Sequence, residues 1–174
     1  RWPEYCMDNA ATFADAADAF ARWLRFGNDR DSAAVRECLR HLVELYRAGM
    51  ALHPEPLDDT GEFADIERVD EAERREVLIA SRRLPVDLYN DVYNPVATPH
   101  EDAITGSVSD DLADIYRDVV SGLRAYRGGD QAGAVWEWSL GLYSHWGAHA
   151  TSAIRVLHWW LSDAASSPLP QSDD

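Results

Sequence analysis

The chain reads as all-α: a single-domain helical bundle of about five main helices, the last two forming an antiparallel hairpin. Three observations lead there. Apolar residues recur at three- and four-residue spacing through most of the 174 residues, the period of a helix with one buried face. No segment alternates convincingly as a half-buried strand would. Gly128-Gly129 separates two long periodic segments, and so short a connection makes them antiparallel neighbours.

Residues 9–26 carry Phe13, Ala16, Ala17, Phe20, Trp23 and Leu24 at helical spacing, and Gly27-Asn28-Asp29 ends that helix with turn chemistry. Asp31 or Ser32 caps the next, whose stripe is Val35, Leu39, Leu42 and Tyr46. It stops near residues 49–52, and residues 54–69, rich in Pro, Asp and Gly, form a loop. Asp70 followed by Glu73 resembles a capping box and opens a third helix to about Arg83. Pro85 suits the first turn of a short helix with Leu88, Tyr89, Val92 and Tyr93, halted by Asn94-Pro95. Residues 96–106 make a second long loop. Ser107 or Ser109 caps the next long helix, which carries Leu112, Ile115, Tyr116, Val119, Leu123 and Tyr126 and runs to Arg127. Asp130 then caps a stretch to Leu161 that holds five of the seven tryptophans and three of the six histidines. It contains no proline and is apolar on more than one face, so one long, deeply placed helix is expected.

Length and composition suit this architecture. A chain of 174 residues, 46% hydrophobic, fits one domain. At this size folding buries roughly 70% of the unfolded surface. Residues 1–163 are expected to form the domain and residues 164–174 a disordered tail. The chain opens on Arg1 rather than methionine, which leaves residues upstream of it an open question.

Charge excludes some functions. Acidic residues number 31 against 16 bases, a net charge of −15. That surplus repels nucleic acid and anionic lipid, so neither is an expected partner. All the bases are arginine. Without lysine there is no Schiff-base chemistry, and a phosphorylated substrate would need arginines or a metal. No apolar run has the length of a membrane span. Cys6 and Cys38 are the sole cysteines, and this sparse usage points to the cytoplasm while leaving one disulfide open.

The segments GSVSDDLADIYRDVVSGLRAY and AVWEWSLGLYSHWGAHATSAIRVLH follow one another closely. Together they resemble DUF5063, a bacterial domain of unknown function. The family pattern S-D-D-L-x-D-I-Y-R-D falls on residues 109–118, W-E-W on residues 136–138 and H-W-G-x-H on residues 145–149. The resemblance implies a helical intracellular bacterial protein and no particular activity.

The same segments hold the candidate site. His145 and His149, four apart, share one helical face, where both imidazoles can bind one metal. No glutamate lies between them, so the helical protease pattern is absent. Asp111, Asp114 and Asp118 cluster on the preceding helix, and like charges at that spacing need compensation from an arginine (Arg117, Arg124 or Arg155), a histidine or a metal. The helix dipole accounts for Asp110 and Asp111 but not for Asp118. Counted along two unbroken helices, Asp114 and His145 both sit about 20–25 Å from the Gly-Gly turn, and Asp111 is level with His149. This registration serves a metal site and a set of structural Asp–His hydrogen bonds equally. Trp138, Trp146 and Tyr116 read either as core or as the lining of a ligand pocket. His100-Glu101-Asp102, in the second loop, is a surface turn or a source of ligands.

Complete catalytic templates are missing. No Glu-x-x-His occurs, which argues against a ferritin-like di-iron site. Glu73-x-x-Glu76 resembles half of the magnesium site of helical nucleotide pyrophosphatases, without the later Glu-x-x-Asp. The first reading is therefore a helical binding protein that takes a protein partner or self-associates. The alternative is a metal-dependent, hydrolase-like enzyme with a divalent ion at His145, His149, Asp111 and Asp114. Gly147, placed mid-helix, implies a close approach by a neighbouring helix, since glycine there costs about 1 kcal/mol relative to alanine.

Overall fold

Caps and turns divide the chain largely where side-chain chemistry places them. The computed structural model describes residues 4–53 and 67–166. Helix α1 spans Glu4–Phe26 and α2 Asp31–Met50. Helix α3, Glu71–Ser81, begins where Asp70 accepts from the Glu73 amide at 2.8 Å. Strands β1 (Leu88–Asp91) and β2 (Ile104–Ser107) follow. Helix α4, Val108–Arg127, is capped by Ser107. Helix α5, Gln131–Ser144, is capped by Asp130, which accepts from the Gly133 amide at 2.9 Å. Helix α6 is Trp146–Ser166. Most of residues 54–69 and the tail beyond Ser166 lie outside the described residues, whereas residues 164–166 belong to α6.

Helix α4 is the axis of the bundle. It packs against α1, α3, α5 and α6 and is buried on most of its circumference. Leu112, Ile115 and Val119 meet Phe13, Phe20 and Leu24 of α1, Leu42 and Leu45 of α2, and Trp138, Trp146 and Leu157 in one core. Small residues let neighbours come close: a Cβ at Gly122 would overlap the Trp138 indole. Trp138 donates Nε1–H to the Val119 carbonyl at 3.0 Å, and Trp146 donates to the Trp138 carbonyl at 2.9 Å. Both rings are thus fully buried with their polar edge satisfied. Cys38 is free and wholly buried.

Four expectations are corrected. The short helix at 85–93 is β1, antiparallel to β2 with Tyr89 opposite Gly106. Its partner lies in the stretch read as loop, and the Tyr89 ring occupies the space that a side chain at 106 would fill. The Trp-rich stretch is two helices, because the backbone turns at His145 (φ −153°, ψ −82°). The turn lets Trp146 drop into the core beside Gly49 and Gly141. Helix α2 has Arg30 at its N-cap with no side-chain bond, and Asp31 takes φ 53°. The Glu73 carboxylate turns to α4 instead of closing a capping box.

That carboxylate joins three helices. It accepts from Tyr116 Oη and Arg124 Nη2, each at 2.6 Å, and from Arg25 Nη1 at 3.3 Å. Burial alone would raise its pKa. The hydrogen bonds from Tyr116 and Arg124 outweigh burial and lower it below the ordinary 4.5. A depressed carboxylate stabilises the fold above its unfolded pKa, and that contribution is lost as pH falls through the folded value. Glu73→Gln is therefore expected to flatten the loss of stability below pH 4.5. Urea midpoints at neutral and acidic pH measure it; an unchanged acid limb would refute the assignment.

Candidate functional site

The site forms where α4 passes the turn between α5 and α6. Asp111, Asp114 and Asp118, one helical turn apart, face His145 at that turn and His149 one turn into α6. His145 Nδ1 lies 2.7 Å from Asp118 Oδ2, and His149 Nδ1 lies 2.8 Å from Asp111 Oδ1. An ionised carboxylate only accepts, so each Nδ1 carries the hydrogen and donates. Both Nε2 lone pairs are then left for another partner, the arrangement of carboxylate-supported metal ligands. The two rings stand edge to face, 4.8 Å apart at 68°.

The third donor is Asp114. Its Oδ1 takes Arg74 Nε at 2.8 Å and Arg117 Nη2 at 3.2 Å, while Oδ2 lies 3.9 Å from His149 Nε2. One ligand atom from each of Asp114, His145 and His149 falls within 4.8 Å of the others. Donors about 2.0–2.2 Å from a common ion lie about 3–4 Å apart, so small side-chain rotations close the set. Behind it, Tyr89 Oη donates to Asp111 Oδ2 at 2.7 Å, and Arg74 also holds Asp110 at 2.6 Å. The support is therefore supplied by β1 and α3 as well as α4.

Electrostatics favour a charged Asp114 and a basic His149. Burial would raise the Asp114 pKa, but the Arg74 hydrogen bond and the nearby guanidiniums bring it below its ordinary value. The Asp111 hydrogen bond raises the His149 pKa against the opposing effect of burial. Burial and Asp111 push the Tyr89 hydroxyl far up, so it remains a donor. The carboxylates are the inner layer: the Asp111 side chain is 8% exposed, Asp114 12%, His149 28% and His145 40%. His145 opens on a cleft of about 230 Å³, which Arg68, Arg117, Asp118, Glu137 and Ser144 also line.

His145 meets Asp118 rather than Asp114, the residue level with it by counting. Counting assumes one straight helix through 145, and the chain bends there. Asp118, unexplained by the helix dipole, was the sequence signal for this contact. Arg117, three residues from Asp114, was legible as a compensating charge, whereas Arg74 and Tyr89 gave no signal, since nothing local marks their partners. Trp138 and Trp146 pack in the core against Phe13, with ring centroids at 4.5 and 5.8 Å, and line no part of this cleft. Tyr116 is committed to Glu73. Glu73 is thereby taken from any magnesium site. Glu101 accepts from the Asn94 amide within its own exposed loop.

The model of the family described as "Domain of unknown function (DUF5063)" matches residues 5–163, nearly the whole chain. The chain belongs to the DUF5063 family. No curated protein matches it. Among solved structures it is similar to the crystal structure of protein BF1032 from Bacteroides fragilis, with a TM-score of 0.67 and 22% identity over 94% of this chain and 96% of that one. That likeness shows a shared fold. The stretches that carry the DUF5063 pattern, residues 109–118 and 145–149, contain all five residues of the Asp–His cluster. Among the described residues no helix is long and apolar enough to cross a membrane.

Proposed function

We propose that this DUF5063 protein binds a divalent transition metal through His145, His149 and Asp114 and uses it for hydrolysis. The observation that carries the reading is the convergence of two carboxylate-oriented imidazoles and a third, arginine-held carboxylate, with His145 lining a cleft. Three protein donors of mixed nitrogen and oxygen suit zinc, manganese or iron and leave a coordination position open. When bound, such an ion activates a water as nucleophile near neutral pH. Asp111 and Asp118 act one step back, fixing the ring tautomers. A free, buried Cys38 supports a reducing compartment, and we place the protein in the cytoplasm. Its negative charge supports small-molecule or protein partners over nucleic acid.

A binding role without chemistry is favoured by one further feature. Leu88 and Trp159, 70% and 68% exposed, border a groove of about 510 Å³ with Val86, Val156 and Trp160. In that reading a protein partner or second copy sits there.

Metal analysis of protein prepared without chelator or nickel affinity tests the proposal. One equivalent of metal is expected, and ligand at a hundred times its Kd should stabilise the fold by about 2.7 kcal/mol in thermal melts. Substoichiometric metal in repeated preparations, with no thermal shift on addition, overturns it.

A further inference from the structure

The arginines around the cluster are not equally occupied. Arg74 gives Nε and Nη2 to Asp114 and Asp110 and is 14% exposed. Arg68 gives both terminal nitrogens to Glu137, at 2.8 and 3.4 Å. Arg117 differs. It makes ion pairs with Asp114 at 3.2 Å and Asp118 at 3.6 Å, but no directed hydrogen bond among the described residues, and it is 37% exposed. It lines the cleft together with His145.

The two cleft anions are already matched. Asp118 accepts from His145, and Glu137 accepts from Arg68. Asp114 is shared between Arg117 and the better-placed Arg74. Arg117 is therefore the cation in this cleft with donors to spare, and it shares the cleft with one metal donor, His145. The cleft, about 230 Å³, is smaller than the 300–1,000 Å³ typical of drug-sized ligand pockets. It accommodates a compact charged group.

We propose that the cleft binds the oxyanion of a small substrate, a phosphoryl or carboxylate group, between the metal and the Arg117 guanidinium. This rests on the metal reading above. Guanidinium presents paired N–H donors at the spacing of two oxyanion oxygens. In a chain of net charge −15 with no lysine, an anion binds only where local positive charge is concentrated, and an ion beside Arg117 provides it. Arg117 is here a substrate-binding residue; when it is lost, Arg74, the better-placed partner, still holds Asp114.

The test is calorimetric titration of the zinc-loaded full chain with inorganic phosphate and, separately, with acetate. At least one anion should bind the wild type. Arg117→Gln should weaken it roughly tenfold or more, as expected on losing a charge-assisted hydrogen bond. Anion binding is read at saturating zinc, because Arg117 also pairs with Asp114 and its loss weakens the metal itself. Arg117→Lys, which keeps the charge but not the paired donors, should fall between and serves where the glutamine variant folds poorly. Zinc binding without either anion binding, or equal anion affinity in wild type and both variants, overturns this proposal and leaves the metal reading standing. Failure of the wild type to bind zinc, manganese or iron overturns both.

Discussion

Gly147→Ala is expected to destabilise the protein by about 3 kcal/mol, although alanine is the better helix former by about 1 kcal/mol. A Cβ at Gly147 would overlap the Leu142 carbonyl oxygen, and it would lie 2.9 Å from the carbonyl carbon and 3.1 Å from Leu142 Cδ1. Backbone cannot swing aside as a side-chain tip can. The close approach is made by the last turn of α5, folded back at His145, rather than by a separately packed helix or a ligand. Opening that turn moves His145 away from Asp118, so zinc affinity should fall together with stability. Urea denaturation and zinc titration of one preparation measure both. A variant as stable as wild type would mean that the turn at 145 readily relaxes.

His149→Ala is expected to lower zinc affinity more than the 10–100-fold typical of removing an outer-shell partner, because it removes a donor itself. It also leaves Asp111, with a side chain 8% exposed, bonded to Tyr89 alone. Stability should fall by about 1–3 kcal/mol for the buried acceptor that loses its partner. His145→Ala should cost a comparable share of zinc affinity with little change in stability, since its side chain is 40% exposed. The contrast separates two roles. If both variants bind zinc as wild type does while His149→Ala still unfolds early, the Asp–His contacts hold the helices together and carry no metal.

The helices could be read from the chain because their causes are local. Asp70, Ser107 and Asp130 each accept from an amide three residues on, and a cap of that kind is visible in a few consecutive letters. The apolar stripe of α4 similarly announced the burial of Leu112, Ile115 and Val119. The two strands could not be read this way, since Tyr89 and Gly106 pair across an intervening loop. Nor could the turn at His145. No proline or cap marks it, and its cause is the burial of Trp146 between Gly49 of α2 and Gly141 of α5.

The candidate site divides along the same line. The sequence by itself determined that Asp111 and Asp114 lie on one helix followed by a tight turn, because helical period and connection length are properties of neighbouring residues; it placed His145 and His149 on a single helix after that turn, and the bend at His145 overturns this. The tertiary structure alone decided that Asp118 pairs with His145. It also decided that Arg74, 40 residues from Asp114, holds one carboxylate oxygen and leaves the other toward His149. Those contacts depend on where α3 and α6 come to rest against α4. Their positions are set by the packing of the whole core, to which no short stretch of sequence corresponds.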